Sequence, residues 1–288
     1  MKELIVNADD FGFTRGVNEG IIRAHREGIL TSATLMATAP SFDDAVERAL
    51  ANPKLGIGCH LVLTGGTAVS PPDQIPTLAD QSGVLPRSLA ALVVRLSSGR
   101  IRIAEIEKEL RVQIEKIRRA GIRVTHLDTH KHTHAHPIVM GALARVAREL
   151  GITRVRKPVE DLRDSWRSTR GAGSSSSKRL AEAAAVRAVG PLFDAIAKNY
   201  GLRSPDHFLG LAMTGRLSTP NLCRLIDTVA EGRTEIMTHP GVYDAELSET
   251  GSGLQQERQT ELDALLSSEA RKAIESRGIK LITYRDLN

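Results

Sequence analysis

The chain has 288 residues, of which 41% are hydrophobic and 25% are charged, and its formal net charge is +5. This length fits either one α/β barrel or two smaller domains. Only 3% of the residues are aromatic, so few rings are available to stack on bases and we expect no nucleic-acid partner. No apolar run approaches the roughly 20 residues of a membrane span, so we expect no integral membrane segment. The two cysteines are far apart in sequence, which disfavours a disulfide framework.

The chain begins with a predicted strand, ELIVNA, that runs directly into Asp9 and Asp10. Its apolar run is too short for a signal peptide, so we interpret it as part of the mature fold and expect a cytoplasmic protein. A helix follows in GVNEGIIRAHREG, where apolar residues recur at spacings of three and four. The strand TSATLMAT and the helix FDDAVERALAN come next, and Ser41 is the predicted N-cap of that helix.

A third predicted strand, LGIGCHLVLT, carries His60. The loop GGTAVSPPDQIP after it is long enough to indicate a functional excursion. The segment IAEIEKELRVQIEKIRRAG predicts a helix closed by Gly121. IRVTHLDTH is the fourth predicted strand, and the helix PIVMGALARVARELG follows with Pro137 in its first turn.

The second half continues the alternation, with predicted strands TRVRKP, HFLGLAM, TEIMTHPG and KLITY and a long helix from about Gln255 to Ser276. A glycine- and serine-rich insert near residues 168–178 predicts a flexible loop. About eight strand–helix units predict parallel strands with right-handed crossovers. We therefore expect a single domain over residues 1–288 with an α/β fold, a distorted (β/α) TIM-like barrel. No GxGxxG follows the first strand, which argues against a dinucleotide-binding fold.

Side chains able to bind a metal follow several of the predicted strands. Asp9 and Asp10 end the first strand, His60 lies on the third, residues 126–130 lie on the fourth, and His239 ends the seventh. In a (β/α) barrel the carboxyl ends of the strands converge on one face, where active sites of this architecture lie. Separate chain segments are therefore predicted to bring metal ligands to one mouth.

The stretch THLDTHKHTHAHP places a polar metal-capable side chain at every second residue: His126, Asp128, His130, His132, His134 and His136. A strand rises about 3.3 Å per residue, so the first and last of them would lie roughly 33 Å apart if extended and cannot share one ion. One or two of these histidines are predicted metal ligands. The others would orient ligands, contact substrate or lie at the surface.

Four polar residues near this site have candidate roles. Because successive side chains of a strand point to opposite faces, Asp9 and Asp10 are expected to differ in role, one on a metal and one beside a water. Asp128 could accept the second ring proton of a ligand histidine or form a structural hydrogen bond inside the barrel. Arg156 could contact the substrate or lie exposed on the surface.

Four ordered motifs, NADDFG, GIGCHLVLT, THLDTHKHTHAHP and EIMTHPG, resemble those of the YdjC/ChbG family of carbohydrate deacetylases. The terminal LITYRDL also resembles the end of that family, so the resemblance extends from residue 4 to residue 287. HLVLTGGTAVSPPDQIPTL and THKHTHAHP further resemble the hopanoid-associated, HpnK-like branch.

The resemblance implies a distorted (β/α) barrel that removes an N-acetyl group from an amino sugar, giving acetate and a free amine. The substrate would be a chito-oligosaccharide or an N-acetylglucosaminyl conjugate. One divalent metal ion would be held by Asp10, His60 and His130. Asp9 would be the catalytic base, and His239 the general acid or a polar group oriented at the substrate. The residues expected to contact substrate or to support the ligands are Asp128, His126, His132, His134 and Arg156.

The motifs do not by themselves name the metal ion or the oligomeric state. Mixed oxygen and imidazole ligands suit zinc, manganese or cobalt, and magnesium is compatible if waters complete its coordination. Magnesium or zinc is therefore expected. The family also suggests a homodimer.

Two other functions stay open. Another metal-dependent hydrolase, such as a phosphoesterase or an amidohydrolase, often needs two metals and an HxH motif on the first strand, where this chain has Asp-Asp. A non-catalytic sugar-binding protein would retain the pocket but would have no use for Asp9 beside Asp10.

Overall fold

The computed structural model describes residues 1–161 and 184–287. Their strands form one parallel sheet in the order β4-β3-β2-β1-β6-β5, with β7 also paired to β1. The predicted insert near residues 168–178 lies outside the described residues. The strands are β1 (Lys2–Phe11), β2 (Ser32–Leu35), β3 (Gly56–Leu61), β4 (Leu127–Thr129), β5 (His207–Leu209), β6 (Gly232–Thr238) and β7 (Lys280–Leu281).

The segment 154–160 joins the two edges of this sheet through isolated parallel bridges. Leu127 on β4 bridges to Val155, and Phe208 on β5 bridges to Glu160. The predicted strand TRVRKP is therefore present as bridges rather than as a continuous strand. The curved parallel sheet with flanking helices confirms the predicted α/β fold, a distorted (β/α) TIM-like barrel.

Helices connect the strands, as right-handed parallel connections require. No helix among the described residues combines the length and the apolar character needed to cross a bilayer. The helices are α1 (Arg15–Glu27), α2 (Phe42–Leu50), α3 (Leu89–Ser97), α4 (Ile103–Arg119), α5 (Pro137–Glu149), α6 (Gly190–Asn199), α7 (Thr219–Asp227), α8 (Ala245–Glu249), α9 (Gln256–Leu266) and α10 (Ser268–Ser276).

The alternation of side chains along β1 separates the core from the barrel interior. Leu4 and Val6 belong to the large apolar core that the strands share with the helices. Ile5 instead packs in a small cluster with Tyr284. Because Asp9 lies an even number of residues from Ile5, it faces the same interior.

Several predicted elements differ from the observed ones. The long helix expected from about Gln255 to Ser276 is divided at Ser267, whose φ of −65° and ψ of 143° are not helical and whose side chain caps α10. Ser41 does not cap α2 with its side chain. The predicted strand IRVTHLDTH pairs regularly only over Leu127–Thr129, because the chain then turns into the 3-10 helix His130–Ala135.

Polar side chains on the buried face of α4 hold the long loop after β3. Glu105 and Glu109 accept hydrogen bonds from backbone N–H groups within residues 69–78, and Gln113 pairs with both backbone groups of Val62. Hydrogen bonds to charged groups stabilise by about 1.5–3 kcal/mol each. The loop predicted as a functional excursion is thus fastened to the barrel beside β3.

A substitution in α1 tests how closely this helix packs against the backbone at Gly241. A Cβ at Gly20 would lie 2.5 Å from the Cα of Gly241, which is backbone and cannot move aside. We expect Gly20→Ala to destabilise the protein by about 1–3 kcal/mol, as overpacking does. Urea unfolding measures the change.

Gly141→Ala is the matched control, because Gly141 also lies inside a helix. A Cβ there would meet only Arg145 Nη1 at 3.6 Å, the end of a flexible side chain. This variant should stabilise the protein by about 0.5–1 kcal/mol. Equal effects of the two variants would contradict the close approach of α1.

Candidate metal centre and active site

A β-bulge at the end of β1 positions the two aspartates. The pairing of β1 with β2 shifts between Ala8 and Phe11, so β1 contains one extra residue there. Asp10 has a φ of 65°, a left-handed conformation that is uncommon outside glycine. The alternation of a regular strand is thus interrupted, and each aspartate places a carboxylate oxygen within 4.8 Å of a His60 ring nitrogen. The different roles expected for Asp9 and Asp10 stay a prediction.

The three predicted metal ligands come together at the carboxyl end of the sheet. Asp10 Oδ1 lies 3.5 Å from His60 Nε2 and 3.3 Å from His130 Nδ1. The two imidazole rings meet edge to face, with centroids 5.5 Å apart. Three strands and their following turns, distant in sequence, thus supply one oxygen and two nitrogen donors to a single point.

The environment of Asp10 tests whether these residues fit a metal ion. Its Oδ1 is buried and has no hydrogen-bond partner among the described residues. Leaving a buried carboxylate oxygen without a partner is costly, and a cation between it and the two ring nitrogens would remove that cost. One carboxylate and two imidazoles also leave coordination positions open. The donor set therefore fits a divalent ion.

A second group, formed by Asp9, His60 and Asp128, has the same spacing. It is the weaker candidate, because both carboxylates already bind the Arg156 guanidinium. The unpartnered oxygen of Asp10 distinguishes the first group.

The sheet register orients His60. Parallel pairing of β3 with β4 places Asp128 beside His60. His60 Nδ1 lies 2.8 Å from Asp128 Oδ1, so Nδ1 donates to the carboxylate and Nε2 is left to face Asp10. Burial opposes a charge on His60, but Asp128 and Asp9 raise its pKa to about 9. Asp128 thus lies against a proposed ligand, as one of its two sequence interpretations expected.

Arg156 is completely buried and binds three carboxylates, which excludes the surface position considered from the sequence. It contacts Asp9 through Nη1 at 2.7 Å and Nη2 at 2.6 Å, and it also pairs with Asp128 and Glu235. Burial by itself raises the pKa of Asp9, but Arg156 outweighs it, so the pKa lies below the usual value. Asp9 is consequently ionised at neutral pH.

Two functional-site residues on α9 were missed by the sequence reasoning. Arg258 donates from Nη2 to Asp10 Oδ2 at 2.6 Å, and despite burial it holds the pKa of Asp10 well below its usual value. Glu261 accepts the backbone N–H of His239, and burial raises its pKa to about 7. Arg258 and Glu261 recur with Leu262 and Leu265 at spacings of three and four residues, so the two charged side chains lie on the same buried helix face as the leucines. The sequence did contain this signal.

His239 lies at the end of β6 and is 9% exposed. Its Nδ1 is buried and has no hydrogen-bond partner among the described residues. Burial lowers its pKa to about 4, although Asp9 and Asp10 act in the opposite direction. His239 is therefore a neutral imidazole at pH 7, close enough to both aspartates to feel their charges.

Two histidines of the repeated stretch are engaged in packing inside the barrel. His126 stacks on Tyr284 with centroids 3.6 Å apart and an angle of 5° between the rings. His134 donates from Nε2 to the carbonyl of Arg156 at 3.0 Å, and its Nδ1 lies 2.6 Å from the Thr129 hydroxyl. Both ring nitrogens of His134 are thus occupied away from the metal ligands.

The remaining two histidines, His132 and His136, have different surroundings. His132 has a φ of 51°, meets Phe208 edge to face at 5.9 Å, and keeps a buried Nδ1 without a partner. His136 accepts the backbone N–H of Ile138 and caps α5. The alternation seen in the sequence therefore ends at His130, where the chain leaves the strand.

The YdjC-like protein family matches residues 3–276 of this chain. The chain belongs to the YdjC-like family. The carbohydrate deacetylase of Brevibacillus brevis is 35% identical over 290 residues, covering 99% of both chains. The carbohydrate deacetylase of Geobacillus stearothermophilus is 34% identical, covering 98% of this chain and 96% of its own. The family predicted from the motifs is confirmed.

A solved structure agrees with this membership of the YdjC-like family. A putative cellobiose-phosphate cleavage protein from Enterococcus faecalis superposes with a TM-score of 0.77 at 30% identity. The match covers 98% of this chain and 97% of the other. The fold of the YdjC-like chain is therefore shared from end to end.

The donor set can be tested by removing one ligand charge. Asp10→Asn should weaken zinc binding by at least about 100-fold, since even residues that only orient ligands contribute about 10–100-fold. Asn tolerates the left-handed backbone at this position, so the bulge should persist. Competition with a chelating dye measures the affinity. The exposed Asp43→Asn variant is the control, and equal affinities in the two variants would refute the proposed ligand.

The buried His134 makes stability depend on pH. Its pKa is lowered to about 4, chiefly by burial, whereas an unfolded histidine has a pKa near 6.5. Between these values the unfolded chain binds the extra proton, so the stability contributed by neutral His134 is lost as pH falls from about 6.5 to about 4. His134→Gln should reduce this slope by up to about 1.4 kcal/mol per pH unit.

Urea unfolding at several pH values measures that slope. The exposed His207→Gln variant controls for the loss of one histidine. If His134→Gln and His207→Gln gave the same slope, His134 would not be held neutral in the fold.

Proposed function

We propose that the protein is a metal-dependent deacetylase that removes the N-acetyl group of an amino sugar and releases acetate and a free amine. The observation that carries this proposal is the unpartnered, buried Asp10 oxygen facing His60 and His130, with ionised Asp9 beside them. The full-length relatives named carbohydrate deacetylase confirm the predicted class of enzyme.

Asp10, His60 and His130 would hold one divalent ion. When bound there, the ion supplies a Lewis acid that polarises the acetyl carbonyl and activates a water. Magnesium or zinc is proposed, with manganese or cobalt also compatible with one carboxylate and two imidazoles.

Asp9 is the proposed catalytic base. Its carboxylate is held ionised by Arg156 and lies within 4.8 Å of the same His60 ring that faces Asp10. An acceptor-only carboxylate in this position can take the proton of the attacking water. Because Arg156 donates to both carboxylate oxygens of Asp9, this side chain has little freedom to rotate away from the site.

His239 is the proposed proton donor to the leaving amine. Its buried Nδ1 has no hydrogen-bond partner in the part of the chain that the structure describes, so a ring nitrogen is available to the substrate. The ring is neutral before reaction, and negative charge that develops on the acetyl group would raise its proton affinity. His239 would then take up the proton that Asp9 removes from the attacking water and pass it to the leaving amine. Glu261 fixes the backbone of His239 and thereby its place beside Asp10.

The substrate is proposed to be a chito-oligosaccharide or an N-acetylglucosaminyl conjugate. Both carry the secondary amide that a single-metal site with a base and an acid can hydrolyse. The predicted homodimer and the predicted cytoplasmic location stay predictions.

Acetate release from N,N′-diacetylchitobiose and related N-acetylated sugars tests the reaction. Metal-stripped protein should be inactive, and zinc, magnesium or manganese should restore activity. Asp9→Asn should lower kcat by about 10²–10⁴-fold, the usual contribution of a general base, while metal content is unchanged. Asp43→Asn should behave as wild type.

Two results would count against the proposal. Full activity in Asp9→Asn would remove Asp9 from the role of base. No acetate from any N-acetylated sugar, with the metal site fully loaded, would favour a different hydrolase or a sugar-binding protein.

A further inference from the structure

A polar cavity lies away from the proposed metal ligands. Its volume is about 380 Å³, and four of its lining side chains are arginines. None of the lining residues is acidic. They are Arg118, Arg123, Val124, Thr125, Gly151, Ile152, Thr153, Arg154 and Arg285.

The cavity opens at the amino ends of the parallel strands. Residues 123–125 directly precede β4, and Arg285 reaches the carbonyls of Pro53 and Leu55 just before β3. His130 follows the other end of β4, about 15–20 Å along the chain from this cavity. The arginines therefore lie on the face opposite the proposed active site.

Two of the four arginines have a structural task. Arg154 donates to the carbonyls of Arg285 and Leu287, and Arg285 donates to the loop before β3. These contacts fasten the C-terminal segment across the amino end of the barrel. Because the acceptors are neutral carbonyls, these contacts leave the positive charges of both side chains unpaired within residues 1–161 and 184–287.

The other two arginines do not contact the C-terminal segment. Arg118 donates once, to the carbonyl of Leu150, and is otherwise exposed. Arg123 is exposed, and its side chain has no hydrogen bond or ion pair within the described residues. Both side chains line the cavity without fastening the C-terminal segment.

The charge around the cavity is strongly positive. Burial and the charges of Arg203 and Arg123 lower the pKa of Arg154, so these groups are close enough to repel one another. The carboxylate of Asp286 also acts on Arg154, but one of its oxygens accepts hydrogen bonds from the amide and hydroxyl of Thr283. Within the described residues none of the four lining arginines forms an ion pair with a carboxylate.

We propose that this cavity, lined by Arg118, Arg123, Arg154 and Arg285, binds an anion that carries a phosphate group. Guanidinium groups match phosphate oxygens in both charge and geometry. The volume lies at the lower end of the range for small-molecule sites, about 300–1,000 Å³. The phosphate belongs either to a free anion or to the headgroup of an anionic lipid.

Calorimetric titration of metal-loaded protein with pyrophosphate tests the site. The double variant Arg118→Gln/Arg123→Gln removes two cavity charges without touching the side chains that fasten the C-terminus. Its affinity should fall at least about tenfold, which corresponds to about 1.4 kcal/mol. The control Arg87→Gln/Arg100→Gln removes two exposed arginine charges elsewhere and should bind as wild type.

Pyrophosphate can also bind a metal, so Asp10→Asn is titrated in parallel. This variant retains the cavity and should keep the wild-type affinity. No binding to wild type, equal binding by both double variants, or loss of binding in Asp10→Asn would overturn the proposal.

Sedimentation with phosphatidylcholine vesicles containing phosphatidylglycerol identifies the source of the phosphate. Co-sedimentation that pyrophosphate displaces and that Arg118→Gln/Arg123→Gln abolishes assigns the site to a lipid headgroup. Pyrophosphate binding without co-sedimentation assigns it to a free anion.

Discussion

The active site depends on one buried charge, the guanidinium of Arg156. A cation removed from water is tolerated only where carboxylates and hydrogen-bond acceptors replace its hydration. Asp9, Asp128 and Glu235 meet that requirement from three different strands. The same contacts fix the proposed base and the carboxylate that orients His60. Breaking a buried pair typically costs about 3–5 kcal/mol, so stability and site geometry cannot be varied independently here.

Each of the paired aspartates is held by its own buried arginine. Arg156 binds both oxygens of Asp9, whereas Arg258 binds only Oδ2 of Asp10. The remaining oxygen of Asp10 is therefore the one available to a metal. The β-bulge brings both carboxylates to His60, and the two arginines then give neighbouring, chemically identical side chains different roles.

The arginines at the two ends of the barrel differ in the groups that bind them. At the carboxyl ends of the strands, buried arginines are neutralised by carboxylates, and Asp10 with two histidines forms a group that could hold a metal ion. At the amino ends, the described part of the chain offers the cavity arginines neutral carbonyls rather than carboxylates. The fold itself does not require arginines without carboxylate partners at the amino ends, where the residues of such barrels usually serve stability.

The sequence by itself determined the α/β class, the family, and the arrival of the aspartates and histidines at one face, because strand ends in a parallel barrel meet there. The resemblance to the family then singled out Asp10, His60 and His130 among them. Tertiary structure alone decided the rest. The bulge that turns Asp10 inward, the pairing of Asp128 with His60, and the burial of Arg156 and Arg258 all depend on which strands and helices become neighbours. Local patterns in a sequence report periodicity, whereas partners for a buried charge come from residues distant along the chain.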